Sequence, residues 1–223
     1  MNVSDAVNSR RSVRDFLNTE VPNTTLERVL KAACRTPSGG NLQPWHLHVV
    51  TGDKLAELKS LMRHRIEAAP QGEETEYDIY PKHLTSPYRE RRFEIGEALY
   101  GQLGISREDK LGRSLWFMRN FAFFGAPVGI FCTVDRQMGP PQWADLGMLF
   151  MSIMLLLREE GLDSCPQECW ALYPKTIASF LQLPDQHMLF AGMAIGYANT
   201  DSPINQLATP RAPMTQNIHF LGA

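Results

Sequence analysis

Arg10-Arg11-Ser12-Val13-Arg14 gathers three guanidinium groups and a hydroxyl within five residues. A guanidinium is a planar fork of donors matched to phosphate oxygens and serine adds a neutral donor, so this segment can hold a phosphate or stand as a solvated basic turn. A second stretch, from Thr36 to Trp45, reads TPSGGNLQPW. Its prolines and glycines preclude regular structure and expose backbone amides that could lie flat against a planar ligand. Asn41 and Gln43 each carry a donor and an acceptor, as needed to read a heteroaromatic ring edge; as an ordinary connection the loop would have many polar groups to satisfy. A third, Cys165-Pro166-Gln167-Glu168-Cys169-Trp170, is a proline-containing turn suited to hold a cofactor. Cys165 and Cys169 have no second pair for the four ligands of structural zinc, and His46 and His48 have no acid or thiol beside them, so no metal site is expected.

The element that must position the third stretch is Trp143 to Leu162, almost wholly apolar between Leu146 and Leu157. A helix without a polar face is buried on all sides, and this one is too short for a bilayer. Gly161 is a natural left-handed stop. Thr24 and Glu27 spell a capping box for a helix from Thr25 to about Arg35, which delivers the chain to the Pro/Gly loop. Trp45 to Val50 alternates as a half-buried strand, and Asp53 caps a helix carrying Leu55, Leu58, Leu61 and Met62. Residues 71–86 are polar and aromatic without a period, either a lid or a mobile excursion; Tyr77, Tyr80 and Tyr88, near Lys82 and Arg89, could stack on an aromatic substrate. Pro87 opens a charged helix with Ile95, Leu99 and Leu103 on one side, and Ser106 with Asp109 starts another through Leu111, Leu115 and Met118; both are expected to cover the core. The runs Ala126 to Val134 and Met188 to Ile195 are apolar on both faces and belong inside a sheet. After Tyr197, Pro203, Pro210 and Pro213 speak against a helix, and Ile218, Phe220 and Leu221 end a tail that is disordered or extends to pair.

The 223 residues contain no linker-like stretch and fit one domain, 43% hydrophobic and 21% charged. A net charge of −2 predicts no nucleic-acid partner. No apolar run follows the basic residues of the N-terminus and none is long enough to span a membrane, so the cytoplasm is the expected compartment. Four scattered cysteines suit its reducing conditions.

Taken in order, Arg10-Arg11-Ser12-Val13-Arg14-Asp15-Phe16, Pro37 to Trp45, Pro166-Gln167-Glu168 and Pro210-Arg211 resemble the nitroreductase family of flavoproteins. Tyr80-Pro81, Pro87 to Arg92 and Leu99 to Ile105 resemble the lid of its nitroaromatic-reducing members. The resemblance implies one α+β domain over residues 1–223, with a central mixed sheet wrapped by helices, a lid at about 70–112 and a C-terminal arm at about 199–223. It also implies an intertwined homodimer with arm exchange, holding FMN at the subunit interfaces. Arg10, Arg11, Ser12 and Arg211 match the phosphate-binding positions and Arg14 the basic position beside the flavin ring. Pro37, Ser38, Gly39, Asn41 and Gln43 match the loop that the partner subunit lays on the flavin. Pro166, Gln167 and Glu168 match the loop beside the ring, with the Glu168 backbone N–H facing N5. Tyr80, Tyr88 and Arg89 fall in the substrate lid. Thr209 stands where many members carry lysine, which puts more of the phosphate on the arginines.

The implied activity is NAD(P)H-dependent reduction of nitroaromatics, or of quinones, by alternating two-electron transfer on FMN, with no side chain required as acid or base. Reductive dehalogenation of halophenols is the alternative on the same fold: Glu76 and Tyr80 have its spacing, but no lysine follows at a comparable distance. A flavin-binding protein without turnover is the alternative outside catalysis.

Overall fold

The computed structural model describes residues 1–222. Four strands form one sheet in the order β1-β2-β4-β3: β1 (Trp45–Thr51), β2 (Val128–Asp135), β3 (Asp163–Gln167) and β4 (His187–Gly196). All three named pairings are antiparallel, and the parallel part of the expected mixed sheet is confined to the bridge Ser12↔Ser164. The helices are α1 (Val3–Ser9), α2 (Asn23–Ala33), α3 (Gly52–Ala68), α4 (Tyr88–Gln102), α5 (Lys110–Met118), α6 (Pro140–Glu159), α7 (Pro174–Leu181) and α8 (Met214–Asn217).

The sheet is covered on both faces. Val128, Ile130, Cys132 and Val134 of β2 pack with Leu146, Leu149, Ile153 and Leu157 of α6 and with Leu26 and Val29 of α2. Phe131 faces the other way, toward Leu55 and Leu58 of α3 and the aromatic cluster of Phe121, Phe123, Trp170 and Tyr173. This is the alternation that a strand imposes on its side chains. It is interrupted once, where Cys132 pairs with Ala191 and Thr133 with Leu189, leaving Phe190 as the extra residue of a bulge.

Several local expectations are corrected. The α2 helix begins at Asn23 with Pro22 at its N-cap, and proline has no side-chain oxygen with which to cap it. Thr51, not Asp53, stands at the N-cap of α3, and Asp53 lies in the first turn. Gly161 does stop α6, at φ 71°, and Leu162 N–H donates back to Leu157 O at 2.9 Å. That helix is not enclosed all round: Gly147 and Met148 are exposed, and Met151 and Leu155 are half-buried. Nor does α4 cover the core, since it has no buried residue; α5 covers it only at its end, where Phe117 and Met118 pack half-buried on the aromatic cluster, while Leu111 and Leu115 are 70% and 62% exposed. Proline does not keep the tail free of helix, since α8 starts directly behind Pro213, where no helical N–H is lost. Among the described residues no helix is long and apolar enough to cross a membrane.

Candidate functional site

The segment of arginines runs from the end of α1 across the sheet edge. Val13 N–H donates to Ser164 O at 3.1 Å, which fixes Ser12 and Arg14 beside β3. From the other side Asn205 clamps the same segment: its Oδ1 accepts from Arg14 N–H at 2.8 Å and its Nδ2 donates to Asp15 O at 2.7 Å. Asp15 binds Arg119 at 2.7 Å and Asn199 at 3.1 Å. Burial works against the Asp15 carboxylate, but hydrogen bonds from Ser202, Arg119 and Asn199 prevail and hold its pKa below the ordinary value.

Among the described residues the guanidinium groups of this segment have no acid partner. Arg14 Nη1 donates to Ser12 O at 3.0 Å, Arg11 Nη1 to Asn205 O at 3.5 Å, and Arg10 only approaches Met154 Sδ at 4.0 Å. An arginine bonded only to carbonyls or to sulfur has its donors free for another anion.

Beside them lies a cleft of about 720 Å³ lined by Arg14, Cys165, Pro166, Gln167, Glu168 and Cys169 at its base and by Tyr77, Tyr80, Arg92 and Leu99 on the lid side. The base is rigid for a visible reason. Trp170 is wholly buried, lies against Phe121, Phe123 and Phe131, and crosses β4 where a Cβ on Gly192 would come within 2.4 Å of its ring. Gln167 is not free to reach a ligand with its side chain: Nε2 donates to Asn120 O at 2.8 Å, and Oε1 accepts from Trp170 Nε1 at 3.2 Å. Burial pushes the Glu168 carboxyl and the thiols of Cys165 and Cys169 up, so none of the three is primed as a nucleophile. All four cysteines are free.

On the lid side Tyr77 anchors the excursion, its hydroxyl donating to Phe190 O at the bulge. Burial raises its pKa, so it remains a neutral donor. Tyr80 lines the cleft, whereas Tyr88 is exposed and Arg89 pairs with Glu90 at 2.5 Å, outside the cleft. Glu76 is taken by Arg136 at 2.6 Å, which removes it from any amino-acid clamp.

Two other expected parts lie elsewhere in the chain. The loop of Pro37, Ser38, Gly39, Asn41 and Gln43 is not part of the cleft lining; it is pinned to α6, with Gly39 N–H shared between the two oxygens of the buried Asp145 at 3.3 Å. Ser38 Oγ accepts from Gln43 N–H at 2.9 Å, while Gly39, Asn41 and Gln43 remain exposed. Arg211 borders a cavity of about 480 Å³ between α4 and the tail, with Tyr80, Arg91 and Arg92, and donates to Thr209 O at 2.9 Å. Asn120, Asn205 and Asp145 were not singled out from the sequence as parts of the site or its support, and Tyr77, expected to stack on a substrate, instead anchors the lid through its hydroxyl. Each acts through a partner far along the chain, which no local pattern signals. Among the described residues no group of three or more His, Cys, Asp or Glu is placed to hold a metal ion.

Residues 7–197 match the model of the Nitroreductase family. The chain is 34% identical to the chloronitrobenzene nitroreductase of Comamonas testosteroni, over 98% of this chain and 96% of that one. It is 36% identical to the 4-nitrobenzoate reductase of Pseudomonas putida, over 97% and 94%. Among solved structures it superposes on the FMN- and NADPH-dependent nitroreductase NfnB from Sphigopyxis sp. strain HMH with a TM-score of 0.97 at 48% identity, covering all of both chains. Against the FMN-dependent NfnB from Mycobacterium smegmatis in complex with NADPH the TM-score is 0.92 at 27% identity, covering 98% of this chain and 97% of that one.

Proposed function

The chain belongs to the nitroreductase family, and from that premise we propose that it is an FMN-dependent NAD(P)H oxidoreductase that reduces nitroaromatic compounds. The observation that carries the proposal is one cleft with Arg14 at its base, Arg10 and Arg11 of the same segment next to it, and an aromatic lid opposite. Arg10, Arg11 and Ser12 offer a phosphate three charged or neutral donors and no competing carboxylate, which fits FMN. The chemistry FMN supplies when bound is uptake of a hydride from the nicotinamide and its onward transfer, as an electron pair, to a nitro group. Arg14, tethered through Ser12 O, holds positive charge where a reduced ring needs it. The Glu168 backbone N–H is offered to the ring by a turn that Gln167 and Trp170 keep from moving. Tyr77 and Tyr80 wall off water on the open side.

The same reading assigns the remaining parts to a second subunit. An exposed stripe on an otherwise apolar helix, with Met148 41% exposed, supports a homodimer packed through α6. Ile218, Phe220 and Leu221 of the tail are 50%, 71% and 96% exposed in the single chain, which supports an exchanged arm. Pro37, Ser38, Gly39, Asn41 and Gln43 then meet the partner's flavin, and Arg211 the phosphate there. Residues 1–223 act as one unit with a lid at 70–112 and an arm at 199–223. Free thiols suit the cytoplasm.

The test is anaerobic: NADH or NADPH is mixed with the yellow protein, and the bleached form is then offered nitroaromatics, quinones and halophenols. Bleaching followed by reoxidation with nitroaromatics, and parallel double-reciprocal lines, are expected. A flavin that neither nicotinamide reduces would mark a carrier instead of an enzyme, and reoxidation by halophenols alone would mark a dehalogenase.

A further inference from the structure

Among the described residues, the lid and the α5 helix beside it carry arginines of two kinds, those in polar pairs and those, Arg92 and Arg107, that lie over aromatic rings without one. Arg89 pairs with Glu90 at 2.5 Å, Arg91 donates to Gln216 at 3.1 Å, and Arg113 binds Glu97 at 2.6 Å. Arg92, on α4, makes no hydrogen bond or ion pair among the described residues. Its guanidinium instead lies over the Tyr80 ring, 4.0 Å from the centroid, and both side chains line the cleft that holds Arg14 and Glu168.

A guanidinium stacked on an aromatic face has its plane fixed and its edge N–H groups directed sideways, the arrangement that accepts both oxygens of a carboxylate. The charges around the cleft argue for a single negative charge. Arg14 and Arg92 are its cations, Asp78 and Glu168 its acids, and Asp78 has only a long contact to Lys82 at 3.7 Å. A dianion would meet one fork with an acid nearby, whereas a carboxylate is matched. Ile79, Leu99 and Phe117 add apolar wall against which a ring can lie. The fork is on the lid, opposite the base where the cofactor reads best, so a ring held between the two would have its acid and its reducible group at opposite ends.

We propose that Arg92, braced by Tyr80, is a specificity residue that anchors the carboxylate of a benzoate-type acceptor in this cleft. The assignment rests on the proposed nitroaromatic reduction and narrows it to acceptors with an anionic ring substituent. The 2′-phosphate of NADPH is the other anion that could reach the same fork, and the experiment separates the two.

Benzoate and its neutral isostere benzamide, neither reducible at a nitro group, are titrated into the flavin-loaded protein by calorimetry for the wild type, Arg92→Gln and Arg92→Lys. The expected result is preference for benzoate in the wild type and a loss of about tenfold or more for benzoate in Arg92→Gln. Benzamide should stay within about twofold, which also reports an intact fold, and Arg92→Lys should fall between because it keeps the charge without the fork. Reoxidation by 4-nitrobenzoate and 4-nitrobenzamide should divide in the same way. Equal losses for acid and amide would overturn the assignment. So would a loss confined to flavin reduction by NADPH and absent with NADH, which would give the fork to the donor's phosphate. Arg92-dependent benzoate binding without reduction of either nitro compound would leave this assignment standing and sink the proposed activity.

Discussion

The base of the cleft and its lid are built by opposite rules. At the base Trp170 is wholly buried, Gln167 spends its amide on Asn120 and Trp170, and Asn205 clamps Arg14 and Asp15. Across the cleft α4 and α5 have no buried residue and carry large apolar side chains into the open. The lid is held at few points, chiefly Tyr77 on the bulge carbonyl and Glu73 on α7. Local opening is easiest where few apolar groups are buried, so the lid should open without disturbing the base. One fold thus keeps the cofactor end fixed and leaves the substrate end free to differ in shape and charge.

That contrast breaks first at Trp170. Trp170→Ala should cost roughly 3–5 kcal/mol of folding stability in urea denaturation, as large aromatic deletions in a core do. Because the same ring braces the turn at Pro166 to Glu168, the variant should also lose its flavin while folded in dilute urea-free buffer. Unchanged stability would mean that the base is less rigid than its packing implies. Next in size is Arg10→Ala. Charge-assisted bonds are worth about 1.5–3 kcal/mol each, so FMN affinity should fall roughly ten- to a hundredfold, measured by fluorescence titration. Riboflavin, without a phosphate, should respond little; equal losses for both would remove Arg10 from the phosphate.

The parts of the base that are legible in sequence are those whose chemistry is local. The arginine cluster, the Pro/Gly loop and the Pro166 turn can each be read from a few adjacent residues, as can the stop at Gly161. What could not be read is the clamp by Asn205, some 190 positions from its partners, or the core bonds made by the Gln167 side chain. The errors about α4 have another cause. Ile95, Leu99 and Leu103 sit at helical spacing, but Arg89 to Arg92, Glu94 and Glu97 crowd the first half of the helix, and spacing alone does not tell a core face from a face kept for a partner or substrate. The α6 helix misleads in the mirror-image way, because a run apolar all round predicts burial without saying whether one chain or two supply it.

Glu73 tests the other half of the contrast. Its carboxylate accepts from Lys175 N–H at 2.8 Å and from Thr176 N–H at 3.1 Å, and it pairs with Arg65 at 2.9 Å, tying the root of the lid to the first turn of α7. Glu73→Gln should weaken that root by roughly 1–3 kcal/mol, visible as faster hydrogen exchange across residues 70–112 with slower change in the sheet. Acid should do the same to the wild type. Burial acts to raise the Glu73 pKa, but the bonds from Thr176, Arg65 and Lys175 prevail and keep it below the ordinary value. A depressed carboxylate contributes above its unfolded pKa and loses that contribution as pH falls through the folded one, so the lid should loosen below about pH 4.3. Exchange in the lid that ignores both the substitution and acid would place its anchor elsewhere.

The smallest expected effect belongs to the sheet and falls in a different pH window. His46 and His187 stack with centroids 4.3 Å apart, and His48 Nε2 lies 3.1 Å from Thr133 Oγ1. Burial, then the neighbouring imidazole charge of His187, lowers the pKa of His46, against a weaker pull from Asp135; burial, then His46 and His187, lowers that of His48. The unfolded chain therefore takes up protons at a pH where the folded one still resists them. Stability should be unaffected above the ordinary histidine value of about 6.5 and should decline as pH falls below it, levelling once the folded histidines have charged. His46 is exposed and the charges are screened by solvent, so the decline should be small beside the effects above. His46→Asn removes the central ring of the three and should flatten the urea midpoint between pH 7.5 and 5.5 without altering the lid's exchange. A lid that loosened in step with the sheet in that window would mean that the two regions are coupled, and the base could not stay fixed while the lid opens.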